Sequence, residues 1–112
     1  MSQELIWIDY FRDASGKYPF KKWYESLKDS LAQTVVDARL ARVRLGNLGD
    51  CKSVGQSVYE LRIMHGPGYR IYFGRENEKL ILLLCGGNKG DQKKDIRRAQ
   101  EYWKIWRQAS EE

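Results

Sequence analysis

Apolar positions recur along this chain in two rhythms, and the changes of rhythm mark its elements. Across residues 4–11, from Glu4 onward, Ile6, Trp7, Ile8, Tyr10 and Phe11 suit a strand, because aromatic and β-branched side chains fit a pleated surface. Ser15 and Gly16 close it. Pro19 suits a first helical turn, where its missing N–H costs nothing, and Phe20, Trp23, Tyr24 and Leu27 follow at helical spacing. Asp29 or Ser30 can cap a second helix whose apolar stripe is Ala32, Val36, Leu40 and Val43, ended by Gly46 and Asn47.

Residues 46–57 hold three glycines, Asp50 and Lys52 with almost nothing apolar, so they are expected to form a long loop of the kind that is mobile or functional. Residues 58–64 and 69–74 read as strands joined by the turn His65-Gly66-Pro67-Gly68. Glu76-Asn77-Glu78 turns the chain into residues 80–85, apolar at every position, which predicts a strand covered on both faces or lying centrally. The stretch 86–90 breaks that strand, and Asp91 caps a last helix carrying Ile96, Ala99, Trp103 and Trp106. Strand, two helices, three-strand meander and C-terminal helix define an α+β fold with a curved, mostly antiparallel sheet. Its helices are expected on one face, leaving the other free to meet a ligand. Trp7, Trp23, Trp103 and Trp106 lie on apolar stripes and are expected in the core.

Size narrows the organisation. A chain of 112 residues with 42% hydrophobic content supports one core, so residues 1–112 are expected to be a single domain. The longest apolar run cannot cross a bilayer core of roughly 30 Å, and the first eleven residues carry acids in place of a basic leader, so a soluble cytoplasmic protein without membrane contact is expected. Cys51 and Cys85 offer no disulfide framework, and with His65 as the single histidine there is no zinc ligand set. No metal or cofactor is expected, and any catalysis falls to Arg, Lys, Tyr, His65 or carboxylates.

The net charge of +5 is unevenly spread: residues 39–98 hold thirteen Lys and Arg against six acids. A polyanion suits such a stretch, because neutralising its phosphates releases condensed counterions. Strand alternation puts Tyr59, Leu61 and Ile63 on one face of the first hairpin strand, and Tyr69, Ile71 and Phe73 on the same face of the second. Glu60, Arg62, Arg70 and Tyr72 then share the other face. If paired residue numbers sum to 132, Arg62 stands opposite Arg70. That pairing is unfavourable by itself and becomes favourable around an anion, which two guanidiniums can grip with forked donors. Lys89, just past the last strand, can reach the same spot, flanked by Tyr72 and His65, and Lys52 leads into it. RNA carries its own nucleophile, the 2′-OH, so such a site needs no metal to cut it. The plainer alternatives are solvated strand residues for Arg62 and Arg70, a turn for Lys89, sheet packing for Tyr72 and a surface position for His65. Lys93, Lys94, Arg97 and Arg98 make either a solvated helix face or a contact for RNA phosphates.

The segments Tyr59-Glu60-Leu61-Arg62-Ile63, Gly66-Pro67-Gly68-Tyr69-Arg70-Ile71-Tyr72-Phe73 and Leu82-Leu83-Leu84-Cys85-Gly86-Gly87-Asn88-Lys89, followed by Gln92, Asp95-Ile96 and Ala99, resemble the HigB-like branch of the RelE/ParE toxin superfamily, whose members are often called phage-derived or addiction-module killer proteins. The resemblance spans nearly the whole chain. It implies a RelE-like fold and the toxin of a type II toxin–antitoxin pair, an endoribonuclease that cuts mRNA on ribosomes. It further implies a protein antitoxin, usually a helix-turn-helix DNA binder, through which the complex meets operator DNA. Arg62 and Arg70 match the sheet arginines given to phosphate binding and charge stabilisation, and Lys89 matches a basic residue after the last strand. The sequence departs from the pattern at Glu60, where RelE-like enzymes often carry lysine, and in offering only Tyr102 near the C-terminus as a family-like tyrosine. The alternative is a ParE-like inhibitor of DNA gyrase without nuclease activity.

Overall fold

The computed structural model describes residues 5–110; Glu4 of the predicted first strand, and the expected tail Glu111-Glu112, lie outside the described residues. The elements run β1 (Trp7–Tyr10), α1 (Pro19–Ser26), α2 (Ser30–Arg44), β2 (Cys51–Gly55), β3 (Val58–Ile63), β4 (Tyr69–Asn77), β5 (Leu80–Asn88), a 3-10 turn (Lys89–Asp91) and α3 (Gln92–Ser110). Five strands form one mixed sheet in the order β1-β5-β4-β3-β2. β1 runs parallel to β5, and the remaining neighbours are antiparallel. The class is α+β, as the alternation predicts. Pro19 opens α1, and Asp29 caps α2 by accepting a hydrogen bond from the Leu31 amide at 2.9 Å.

The helices do not gather on one face. α1 and α2 cover one side, where Phe20, Ala32, Val36, Leu40 and Val43 meet Leu61, Ile63, Ile71, Phe73, Ile81 and Leu83. α3 covers part of the other, where Ala99 and Trp103 meet Val58, Tyr72, Leu82 and Leu84. The unbroken apolar run of β5 has its cause here, since its side chains enter a core on either face. The polar residues of β3 and β4 do not leave the second face open, because the apolar stripe of α3 docks beside them.

Three further differences have local causes. The expected loop 46–57 contains β2, an edge strand paired with β3 through Cys51↔Leu61, Lys52↔Glu60 and Ser53↔Tyr59. Its connection to β3 uses Gln56 and Ser57, both at positive φ (56° and 64°), a conformation usually signalled by Asn or Gly. Nor do the glycines at 86 and 87 end β5, which pairs with β4 as far as Asn88. They let other parts come close: a Cβ at 86 would collide with the Trp23 ring, and one at 87 with the Asp95 carboxylate. Gly74 in β4 gives the same close approach to Trp103. Trp7, finally, lies on edge strand β1 and is 75% exposed, so it is no part of the core, whereas Trp103 is buried and Trp23 and Trp106 are half-buried against the two cores.

Candidate functional site

The β3–β4 register is the one that the summed residue numbers predict, with Arg62 opposite Arg70 and Glu60 opposite Tyr72. Both arginines therefore rise from the face that α3 only partly covers. A groove of about 500 Å³ opens at the hairpin end, lined by Arg62, Arg70, Lys89, His65 and the 66–68 turn. Four of the five residues predicted as catalytic thus meet in one place. Tyr72 does not join them. It is fully buried beneath α3 in contact with Ala99, Leu82 and their neighbours, and burial, then the adjacent Glu60 carboxylate, push its phenol above the ordinary value. The expectation that it flanks the groove is corrected by the packing of α3, whose apolar stripe needs that ring.

Both groove arginines already have a partner. The Arg62 side chain, 44% exposed, donates Nη2 and Nε to Asp50 Oδ1 at 3.0 and 3.2 Å. Asp50 is held in turn by Arg39, which donates to the Asp50, Leu48 and Arg62 carbonyls at 2.8 to 3.0 Å. Burial first, then the neighbouring Arg42, lowers the Arg39 pKa from its usual value against the opposing charge of Asp50. Arg70 is 13% exposed, and its Nε lies 3.5 Å from Glu60 Oε2. Glu60 itself is 0% exposed, the deepest charge on this face; Gln92 Nε2 donates to the same Oε2 at 3.0 Å, and Lys52 Nζ stands 3.9 Å from Oε1. Lys52 reaches Glu60 from β2 because the two are paired in register, so its place is a strand and not a loop.

His65 sits at the rim, its Nε2 3.4 Å from Asp29 Oδ2, so the capping residue of α2 also braces the hairpin turn. The Leu31 amide first and His65 second hold the Asp29 carboxyl below its usual range. Lys89 is exposed, and Lys93, Lys94, Arg97 and Arg98 are exposed along α3. Cys85 is buried in β5; burial first, then Asp95, push its thiol up to about 12, so it is unreactive at neutral pH. Cys51 is half-buried on β2, and burial raises it too. Among the described residues no three His, Cys, Asp or Glu side chains gather closely enough to hold a metal ion, and no helix is long and apolar enough to cross a membrane.

Sequence reasoning missed Asp50, Gln92, Asp29 and the depth of Glu60. Only Glu60 had a signal, being diagonal to Arg70 across the hairpin. The others arrive from a turn, a helix start and a cap that no local pattern connects to the strands.

The class that fold and site define is an α+β domain with a basic groove at one hairpin end. No family model matches the chain, and no solved structure matches it. An uncharacterized protein of Haemophilus influenzae is 46% identical over 81 residues, covering 72% of this chain and 82% of that relative. The chain belongs to the same family as that protein.

Proposed function

We propose that this protein is the toxin of a type II toxin–antitoxin pair, a metal-independent endoribonuclease of RelE-like fold that cuts mRNA on the ribosome in the cytoplasm. The observation that carries the reading is the juxtaposition of Arg62 and Arg70 on one sheet face, opening into a groove with Lys89 and His65. Around it four cations, Lys52, Arg62, Arg70 and Lys89, outnumber the three carboxylates of Glu60, Asp50 and the rim residue Asp29, so the groove favours an anion.

In that reading Arg62 and Lys89 hold the scissile phosphate, and Arg70 meets the extra negative charge of the transition state. The 2′-oxygen attacks phosphorus as the bond to the 5′-oxygen breaks. A base takes the 2′-OH proton, an acid returns one to the 5′-oxygen, and a 2′,3′-cyclic phosphate remains. His65 is the groove side chain whose chemistry suits both giving and taking a proton in such a step. Lys93, Lys94, Arg97 and Arg98 extend the basic surface along α3 towards ribosomal RNA phosphates. A helix-turn-helix antitoxin would neutralise the protein and carry the pair to operator DNA.

The test is a cell-free translation reaction with transcript ends mapped. The wild type should cut the message, and Arg70→Ala should cut it about 100-fold more slowly. Intact transcripts overturn the reading; intact transcripts with trapped DNA gyrase replace it with the gyrase-inhibitor one.

A further inference from the structure

A carboxylate behind the cations of a phosphate groove works against binding, and Glu60, buried against Arg70, is such a carboxylate. It cannot be the general base, because its side chain is 0% exposed and a base must reach the proton it removes. Its contacts point elsewhere. It meets Arg70 at the Nε edge, 3.5 Å away, an ion-pair contact too loose to be a hydrogen bond, so Arg70 Nε is buried without a hydrogen-bond partner among the described residues. Gln92, the first residue of α3, competes for the same oxygen at 3.0 Å, and Oε1 has no hydrogen-bond partner there.

We propose that Glu60 is a positioning residue that holds Arg70 by its Nε edge and offsets its charge in the resting groove, so that Arg70 acts on a phosphate chiefly when further negative charge develops. The catalytic half of this proposal rests on the RNA-cleavage reading above. The physical logic is differential binding: an arginine half-neutralised by a neighbour gains little from a singly charged phosphodiester and more from a doubly charged transition state. Gln92 tunes the balance, since every hydrogen bond it gives to Oε2 loosens the hold of that oxygen on Arg70.

The experiment uses the full chain with Glu60→Gln, Gln92→Ala, Arg70→Ala and the Glu60→Gln/Arg70→Ala pair. The binding probe is an RNA oligonucleotide methylated at every 2′-oxygen, which cannot be cut. Glu60→Gln should bind it about threefold more tightly, because a screened opposing charge has gone. Gln92→Ala should bind it more weakly, because Oε2 then turns wholly to Arg70. The double variant should lose most of the Glu60→Gln gain, since Arg70 stands nearer to Glu60 than Lys52 does, at 3.5 against 3.9 Å, and Lys52 is half exposed to solvent. On unmodified RNA, Glu60→Gln should lower KM and lower kcat by about tenfold, as orientation is lost while attraction rises.

A folded Glu60→Gln protein whose affinity is unchanged or weaker overturns the proposal, as does a gain that survives undiminished after removal of Arg70. Should Glu60→Gln fail to fold, Gln92→Ala decides, and unchanged affinity there overturns it. A wild type that leaves RNA uncut while Glu60→Gln still tightens binding through Arg70 refutes the nuclease reading and keeps the electrostatic role. A wild type with no affinity for the probe refutes both.

Discussion

The two faces of the sheet are built to different ends. Beneath α1 and α2 the side chains of Leu61, Ile63, Ile71, Phe73, Ile81 and Leu83 are apolar and closed off, and the strands alternate as an elementary pattern predicts. Beneath α3 the same strands present a divided surface, apolar at Val58, Tyr72 and Leu82, charged at Glu60, Arg62 and Arg70, with Asp95 entering from the helix itself. The first face carries stability. The second gives up part of its hydrophobic cover so that a groove can exist where α3 begins.

That contrast breaks most severely at Phe73, fully buried on the closed face and stacked on Tyr59 with ring centroids 5.4 Å apart. Phe73→Ala should cost about 3–5 kcal/mol in denaturant unfolding. Arg70→Ala on the divided face should remove activity and also cost stability, because it leaves the buried Glu60 carboxylate without its arginine, and adding Glu60→Gln should recover that stability but not the activity. Gly74→Ala tests the seat of α3. The added methyl meets the Trp103 ring, and about 1–3 kcal/mol should be lost, with the Trp103 fluorescence changed.

The smallest effect should carry the opposite sign. Asp95 is buried with Oδ2 lacking a hydrogen-bond partner among the described residues, and burial holds its carboxyl above the usual value despite Arg98 and Lys94. A raised carboxyl pKa means that the charged form weakens the fold above that pKa, and the penalty is relieved as pH falls through it. Asp95→Asn should therefore raise Tm at pH 7 by about 2 °C, and the gain should shrink as pH approaches about 4. A gain that stays constant with pH would mean that the carboxylate charge is not the cause.

Legibility in the sequence followed the range of the interactions. The α1 and α2 stripes, the hairpin register and the inward triplets were readable because each depends on spacing within a few residues. β2 was hidden because Gln56 and Ser57 lack the usual turn signature, and the persistence of β5 through 86 and 87 was hidden because glycine punctuates a sequence even where it serves close packing. The site was half legible. Arg62, Arg70, Lys89 and His65 meet as the register implied, while Tyr72 was lost to α3 and the restraints from Asp50, Gln92 and Asp29 came from distant segments.

Alternation along the strands, helical spacing and turn chemistry by themselves determined an α+β chain whose two hairpin arginines share one face, because side-chain direction in a strand is fixed by the backbone's period of two. Only the tertiary structure decided which of their neighbours stay in the groove. Where α3 lies across the sheet depends on glycines that admit Trp103 and Asp95, and that placement buries Tyr72 and Glu60 while leaving Arg62 and Lys89 in the open.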